Sequence, residues 1–222
     1  MAQQKFFRLA KTPTQFFLWA AIFFPVLVLL SLAANWGAAT EAGASETDKP
    51  SLSVASRTRP YQRSEHRYMP NDFELTDRNG NKVKLHQALG NEHGVMLNFI
   101  FTSCTTVCPL MSASFAQVQQ QLGPEREKVR LISISIDPDH DTPQRLTDYW
   151  HRFGAGPQWQ LLTGRRDDVI EIQKAFEVYR GKKANHQSVT LLKGSPNGPW
   201  VRLEGYAGAA DIIREYDSLS GH

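Results

Sequence analysis

The only two cysteines among 222 residues are Cys104 and Cys108, four positions apart in the run FTSCTTVCPLM, and Pro109 follows the second at once. Upstream lies an apolar run of strand formers from Val95 to Phe101; downstream Leu110, Phe115, Val118 and Leu122 recur at helical spacing. The pair is therefore expected where a strand turns into a helix. Proline suits a first helical turn, where its missing N–H has no intrahelical role, so the helix should begin at or just before Cys108. Thiols four apart on a helix share a face and can converge on one metal ion or on each other. A helix N-terminus also favours thiolate, the form that binds soft metals and attacks disulfides. The competing reading, a structural disulfide, is weakened by geometry: a bridge closing so short a loop restricts the unfolded chain little.

The N-terminus sets the compartment. Lys5, Arg8 and Lys11 precede an apolar segment from Phe16 to Ala34, broken only by Pro25 and Ser31, and the next charges, Glu41, Glu46 and Asp48, are acidic. That length is about enough to cross a bilayer, and a positive flank stays in the cytoplasm. The expected organisation is a cytoplasmic N-terminus (1–15), a transmembrane anchor or uncleaved signal (16–34), a flexible linker (35–60) and one folded domain (61–222). The domain would stand on the periplasmic side of the inner membrane. A cleaved signal peptide is the alternative, since small residues follow the run; signal peptides usually have shorter apolar cores. Both place the cysteines outside the cytoplasm. The linker stretch is rich in Gly, Ala, Ser, Thr and Pro and holds too little apolar surface to fold alone.

From residue 60 onward basic and acidic residues balance, so the formal charge of +3 resides in the first 59 residues. The basic composition thus gives no support to nucleic acid as a partner. No phosphate-binding Gly-rich loop, HExxH or GxSxG appears, which removes support for nucleotide and hydrolytic chemistry.

The domain should open with a hairpin, Phe73–Leu75 and Lys82–Leu85, turning around Asp77, Asn79 and Gly80. After the cysteine strand and helix, residues 129–137 read as a strand and Pro143 opens a helix through Phe153, with Thr142 or Asp141 as its cap. A strand at Trp159–Leu162 precedes a helix from Asp167 whose apolar face is Val169, Ile172, Ala175, Phe176 and Tyr179. Ser188–Leu192 and Trp200–Gly205 form a second hairpin, followed by a helix over Ala209–Leu219. Alternating strands and helices ending in a hairpin imply an α/β fold with a mixed sheet covered on both faces. Trp150, Phe153, Trp159, Phe176 and Tyr179 are expected in the core, as are Met96 and Met111; His66, His86, His93, His140 and His151 are expected to be solvated.

FTSCTTVCP, the later SIDPDHDTP (Ser135 to Pro143), and AFEVYR followed by NHQSV together resemble the Sco/SenC/PrrC family of membrane-anchored, copper-binding, thioredoxin-like proteins. The match is collinear over roughly residues 70–220. Three motifs in order are far more specific than a lone CxxxC. The resemblance implies a thioredoxin-like fold and copper, Cu+ or Cu2+, held by Cys104, Cys108 and His186. It also implies a chaperone role in assembling the binuclear copper site of cytochrome c oxidase, with the oxidase's copper-bearing subunit or another copper chaperone as partner. The donor types agree: thiolates suit Cu(I) and an imidazole completes a three-coordinate site, whereas zinc usually takes a fourth ligand. Asp137, at a strand end on the same sheet edge, is the candidate to support the metal ligands. Asn185 stands before His186 where many relatives carry Asp, which bears on support of the imidazole. The principal alternative is a thiol:disulfide oxidoreductase acting on exported or oxidase cysteines; a redox or copper sensor is a third. Against the oxidoreductase stand the CxxxC spacing and the presence of His186 where a thioredoxin would carry proline.

Overall fold

Eight strands lie in the order β1-β8-β7-β4-β5-β6-β2-β3 in a single mixed sheet. The structure, a computed structural model, describes residues 59–90 and 94–220. The strands are β1 (Tyr61–His66), β2 (Glu74–Asp77), β3 (Lys82–Lys84), β4 (Gly94–Ile100), β5 (Val129–Ser135), β6 (Trp159–Gly164), β7 (Val189–Lys193) and β8 (Trp200–Gly205). The helices are α1 (Leu85–Leu89), α2 (Val107–Gln121), α3 (Pro143–Arg152), α4 (Arg166–Ala175) and α5 (Ala209–Ser220). β4, β5 and β6 run parallel, and the remaining pairings are antiparallel. This is the expected thioredoxin-like sheet flanked by helices.

The centre of the sheet is covered on both sides, and β4 is apolar apart from Asn98, which accepts from the Ser133 hydroxyl at 2.6 Å. The seven residues of β4 are all buried. Met96 and Ile100 pack with Phe115 and Val118 of α2, Leu146 and Tyr149 of α3 and Ile212 of α5. Val95, Leu97 and Phe99 pack the other way, against Val169 and Ile172 of α4 and Phe176. Such continuous apolar character is what a central strand needs when helices cover both faces. Phe176→Ala, removing a fully buried ring, should cost about 3–5 kcal/mol in denaturant unfolding.

Both hairpins form where expected. In the first, the Asp77 carboxylate accepts from the backbone N–H groups of Asn79 and Asn81, each at 2.8 Å, and Gly80 takes a φ of +85° that suits glycine. Leu85, expected in the strand, instead opens α1. β1 was not foreseen: its residues Gln62–Glu65 are exposed, and only Tyr61 is buried. Tyr61 donates to Glu215 of α5 at 2.7 Å and Arg63 adds a bond to the same carboxylate at 3.0 Å, fixing this edge strand.

α4 is shorter than its apolar spacing suggests. It stops at Ala175, Phe176 is the C-cap, and Glu177 adopts a φ of +57°. Tyr179 therefore leaves the core and is exposed, while Trp159 and Phe176 are buried and Trp150 and Phe153 partly so. Met96 and Met111 are buried as expected. Among the described residues no helix is long and apolar enough to cross a membrane; the anchor expected at 16–34 lies outside the described residues.

Candidate metal centre

β4 delivers the cysteine loop to the C-terminal edge of the parallel strands, the place where sites of open α/β sheets form. Phe101–Thr106 links the strand to α2, which begins at Val107, and Cys108 and Pro109 lie in its first turn. Thr106, the N-cap, makes no side-chain capping bond, so the first N–H groups of α2 need another acceptor. The Cys104 sulfur supplies it. Burial works against ionisation of Cys104, but bonds from the backbone and thiol of Cys108, then from the backbone and hydroxyl of Thr106, outweigh it and hold this thiol below its ordinary value. The Thr106 hydroxyl lies 3.6 Å from the sulfur.

Cys108 behaves oppositely. It is fully buried, and burial, followed by its hydrogen bond to Cys104 and the negative charge of Cys104 and Asp141, pushes its thiol far up. The two cysteines are not joined by a disulfide in this structure. Where the sequence implied two activated thiols, the structure distinguishes Cys104, whose sulfur accepts hydrogen bonds that favour its ionisation, from Cys108, whose thiol donates to it. The expected result is that iodoacetamide alkylates Cys104 with a rate rising at a pH below the ordinary cysteine value of about 8.5. Cys108 should remain unmodified until the chain unfolds, which peptide mass mapping would read.

His186 follows a short 3-10 turn, Lys183–Asn185, immediately before β7. Its Nε2 lies 2.8 Å from the carbonyl of Phe99. A carbonyl can only accept, so the proton is on Nε2 and the Nδ1 lone pair is left for a ligand. Burial holds the imidazole below its ordinary range; the Phe99 carbonyl opposes that shift and Arg180 adds to it. Neutral imidazole is the metal-binding form. Cys104 and His186 wall the same small cavity of about 150 Å³, together with Phe101 and Lys183. Among the described residues no three His, Cys, Asp or Glu side chains are grouped closely enough to hold a metal ion. The two sulfurs are hydrogen-bonded, and the imidazole of His186 lines the cavity that Cys104 also lines.

Asp137 reaches the cysteine cavity only through a neighbour, Lys183, which lines it. It forms an ion pair with Lys183 and lines a neighbouring cleft that it shares with His186. Asp141, expected as a helix cap, has a different task. Thr142 is the N-cap, accepting from the Arg145 N–H at 3.4 Å. Asp141 is fully buried and accepts from the Thr102 N–H at 3.0 Å, the Thr102 hydroxyl at 2.5 Å and the Ser135 hydroxyl at 2.6 Å. It thus ties the cysteine loop to the end of β5. No local pattern announces this, because Thr102 lies 39 residues away in sequence. Met69, whose thioether is a soft donor, is almost entirely exposed and is not among the residues lining the Cys104 cavity.

The sequence profile of the SCO1/SenC family matches residues 61–203. A "SCO1 protein homolog" of Bacillus subtilis is 32% identical over 166 residues, 69% of this chain and 83% of its own length. The structure of BsSco, described with a disulfide switch and as a member of the Sco family of cytochrome c oxidase assembly proteins, is 29% identical. It superposes with a TM-score of 0.59 over 69% of this chain and 94% of that one. Bradyrhizobium japonicum ScoI, solved with copper bound, is 25% identical with a TM-score of 0.53 over 66% of this chain and 98% of its own.

Proposed function

We propose a function on the premise that follows from those matches: this chain belongs to the SCO1/SenC family. It is a copper chaperone that binds one copper ion through Cys104, Cys108 and His186 and delivers it to the binuclear copper site during assembly of cytochrome c oxidase. The observation that carries this reading is the donor set around one cavity: a Cys104 sulfur whose ionisation is favoured, hydrogen-bonded to Cys108, and an imidazole lining the same cavity whose Nε2 is held by the Phe99 carbonyl, leaving Nδ1 as the ligand atom. Two sulfurs and one nitrogen suit Cu(I), and a three-donor set leaves the ion open to an incoming ligand. On loading, Cys108 loses its proton, whose place beside the Cys104 sulfur the metal takes. A cysteine or histidine of the acceptor then enters the coordination sphere and takes the ion by ligand exchange.

Residues 16–34 serve as the inner-membrane anchor and 35–60 as the linker, holding the domain of residues 61–222 on the periplasmic side within reach of a membrane-bound acceptor. Such tethering raises effective concentration without new contacts. Asp137, through Lys183, supports the segment that carries His186.

A second reading rests on the contrast between the two thiols. The Cys104 thiolate can attack a disulfide of a partner, expelling one partner thiolate; Cys108, deprotonated as it attacks the mixed disulfide, releases the second and closes a Cys104–Cys108 bond. Copper and this disulfide compete for the same two sulfurs. The experiment that separates the readings mixes the reduced, Cu(I)-loaded full chain, in detergent, with the copper-free copper-bearing oxidase subunit. Copper moving to the subunit with the chain left as dithiol supports delivery; a chain left as disulfide, with new thiols on a subunit supplied in its disulfide form and the displaced copper free in solution, would support the reductase.

A further inference from the structure

Beside the cysteine cavity lies a larger cleft of about 380 Å³, bounded by the loop after β5, the first turns of α4 and the loop of residues 178–183. Arg166, Arg180, Lys182 and Lys183 line it, and Asp137 is the one carboxylate among its walls. This excess is local, because the chain from residue 60 onward is balanced in charge. Lys182 is exposed and makes no ion pair among the described residues. Arg166 is paired with Asp139 at the rim, and Arg180 stands 3.8 Å from Glu204; neither of those carboxylates is part of the cleft wall. Both pairs are solvent-exposed, and such pairs contribute so little, about 0–1 kcal/mol, that an incoming carboxylate can exchange with them. The floor between the cations is apolar: Val169, Ile170 and Val178.

We propose that this cleft is a docking site for an acidic segment of a partner protein, one carrying carboxylates beside an apolar side chain. An apolar floor within a cationic rim fits such a segment better than a bare inorganic anion. The position gives docking a consequence. Lys183 and His186 wall both this cleft and the cavity containing Cys104, so an occupant lies against the segment that presents the imidazole. In that respect the inference rests on the copper-delivery reading and deepens it: the partner that docks here is the one that exchanges metal at Cys104, Cys108 and His186.

The test uses the full chain in nonionic detergent with a fluorescein-labelled peptide alternating Asp or Glu with Leu, and a control peptide in which Asn and Gln replace the acids. Binding is read by anisotropy, and Cu(I) loading of the same samples is measured in parallel. The expected result is saturable binding of the acidic peptide, at least tenfold tighter than the control, weakening with added salt, as expected of exposed charges. Arg166→Glu with Lys182→Glu should weaken it at least tenfold while copper loading is unchanged. Equal binding of the two peptides, or indifference to the charge reversal, would overturn the docking site. In the unaltered chain, absence of acidic-peptide binding with copper loading intact removes this inference alone. Peptide binding without any copper loading keeps the acidic-segment site and removes its link to metal exchange.

Discussion

Replacing either cysteine with serine is expected to abolish retention of Cu(I) under competition with a soft-ligand chelator, and His186→Ala to weaken it by more than about 100-fold. The bound is conservative, since loss of groups that only support a metal ligand already costs roughly 10- to 100-fold. The two cysteines should differ in how they fail. Cys104→Ser exchanges the sulfur that accepts from the first N–H groups of α2 for a hydroxyl oxygen on a shorter side chain, whereas Cys108→Ser leaves the Cys104 sulfur with its Thr106 contacts. Alkylation of the remaining thiol separates them: Cys104 in Cys108→Ser stays reactive, and Cys108 in Cys104→Ser stays protected. The pH dependence follows from the direction of the His186 shift. Because burial lowers its proton affinity in the folded chain, the unfolded state binds the imidazole proton more readily. The stability this contributes is present above the unfolded value of about 6.5 and is lost as pH falls through the folded value. Imidazole ligation should likewise persist below the range in which an ordinary histidine protonates. His186→Ala should remove that part of the acid dependence.

Asp141→Ala should destabilise the domain by about 2–4 kcal/mol, with Cu(I) affinity falling roughly 10- to 100-fold. The carboxylate is fully buried and receives three hydrogen bonds. Bonds to a charged acceptor contribute about 1.5–3 kcal/mol each, and buried donors left unpaired carry their full desolvation cost. The Thr102 hydroxyl, half-buried, can turn toward water, which limits the total. Asp141→Asn discriminates between charge and connectivity. An amide oxygen placed toward the Thr102 N–H and Ser135 hydroxyl keeps both bonds, and its NH2 can donate to the Thr102 hydroxyl once that group rotates. It should retain most of the stability that alanine loses, as read in denaturant unfolding, and most of the copper affinity, as read in chelator competition.

These residues mark how far the sequence could be read. The strand-to-helix junction at Cys104 and Cys108 was legible because the apolar run of β4, Pro109 and the spacing of α2 are local signals, and the two hairpins were marked by their turn residues. Tyr179 was misplaced because periodicity continues past Phe176 although the backbone does not: Glu177 adopts a positive φ and breaks the helix. β1 escaped because an edge strand exposing Gln62–Glu65 shows no apolar alternation. α1, five residues long, is too short to show a period. At the site, residue types and spacing pointed to thiol chemistry, and the imidazole of His186 came with the family resemblance. The division between Cys104 and Cys108 depends on burial and on which N–H groups lack an acceptor, and the role of Asp141 depends on a loop brought to it by the pairing of β4 with β5. Both are tertiary facts with no counterpart in local pattern.

The most direct test of the account is X-ray absorption at the copper edge on the reduced full chain loaded with one equivalent of Cu(I), in detergent. The account predicts a first shell of two sulfurs and one imidazole nitrogen, the nitrogen lost in His186→Ala. A spectrum without two sulfur scatterers, or one unchanged by His186→Ala, would contradict it.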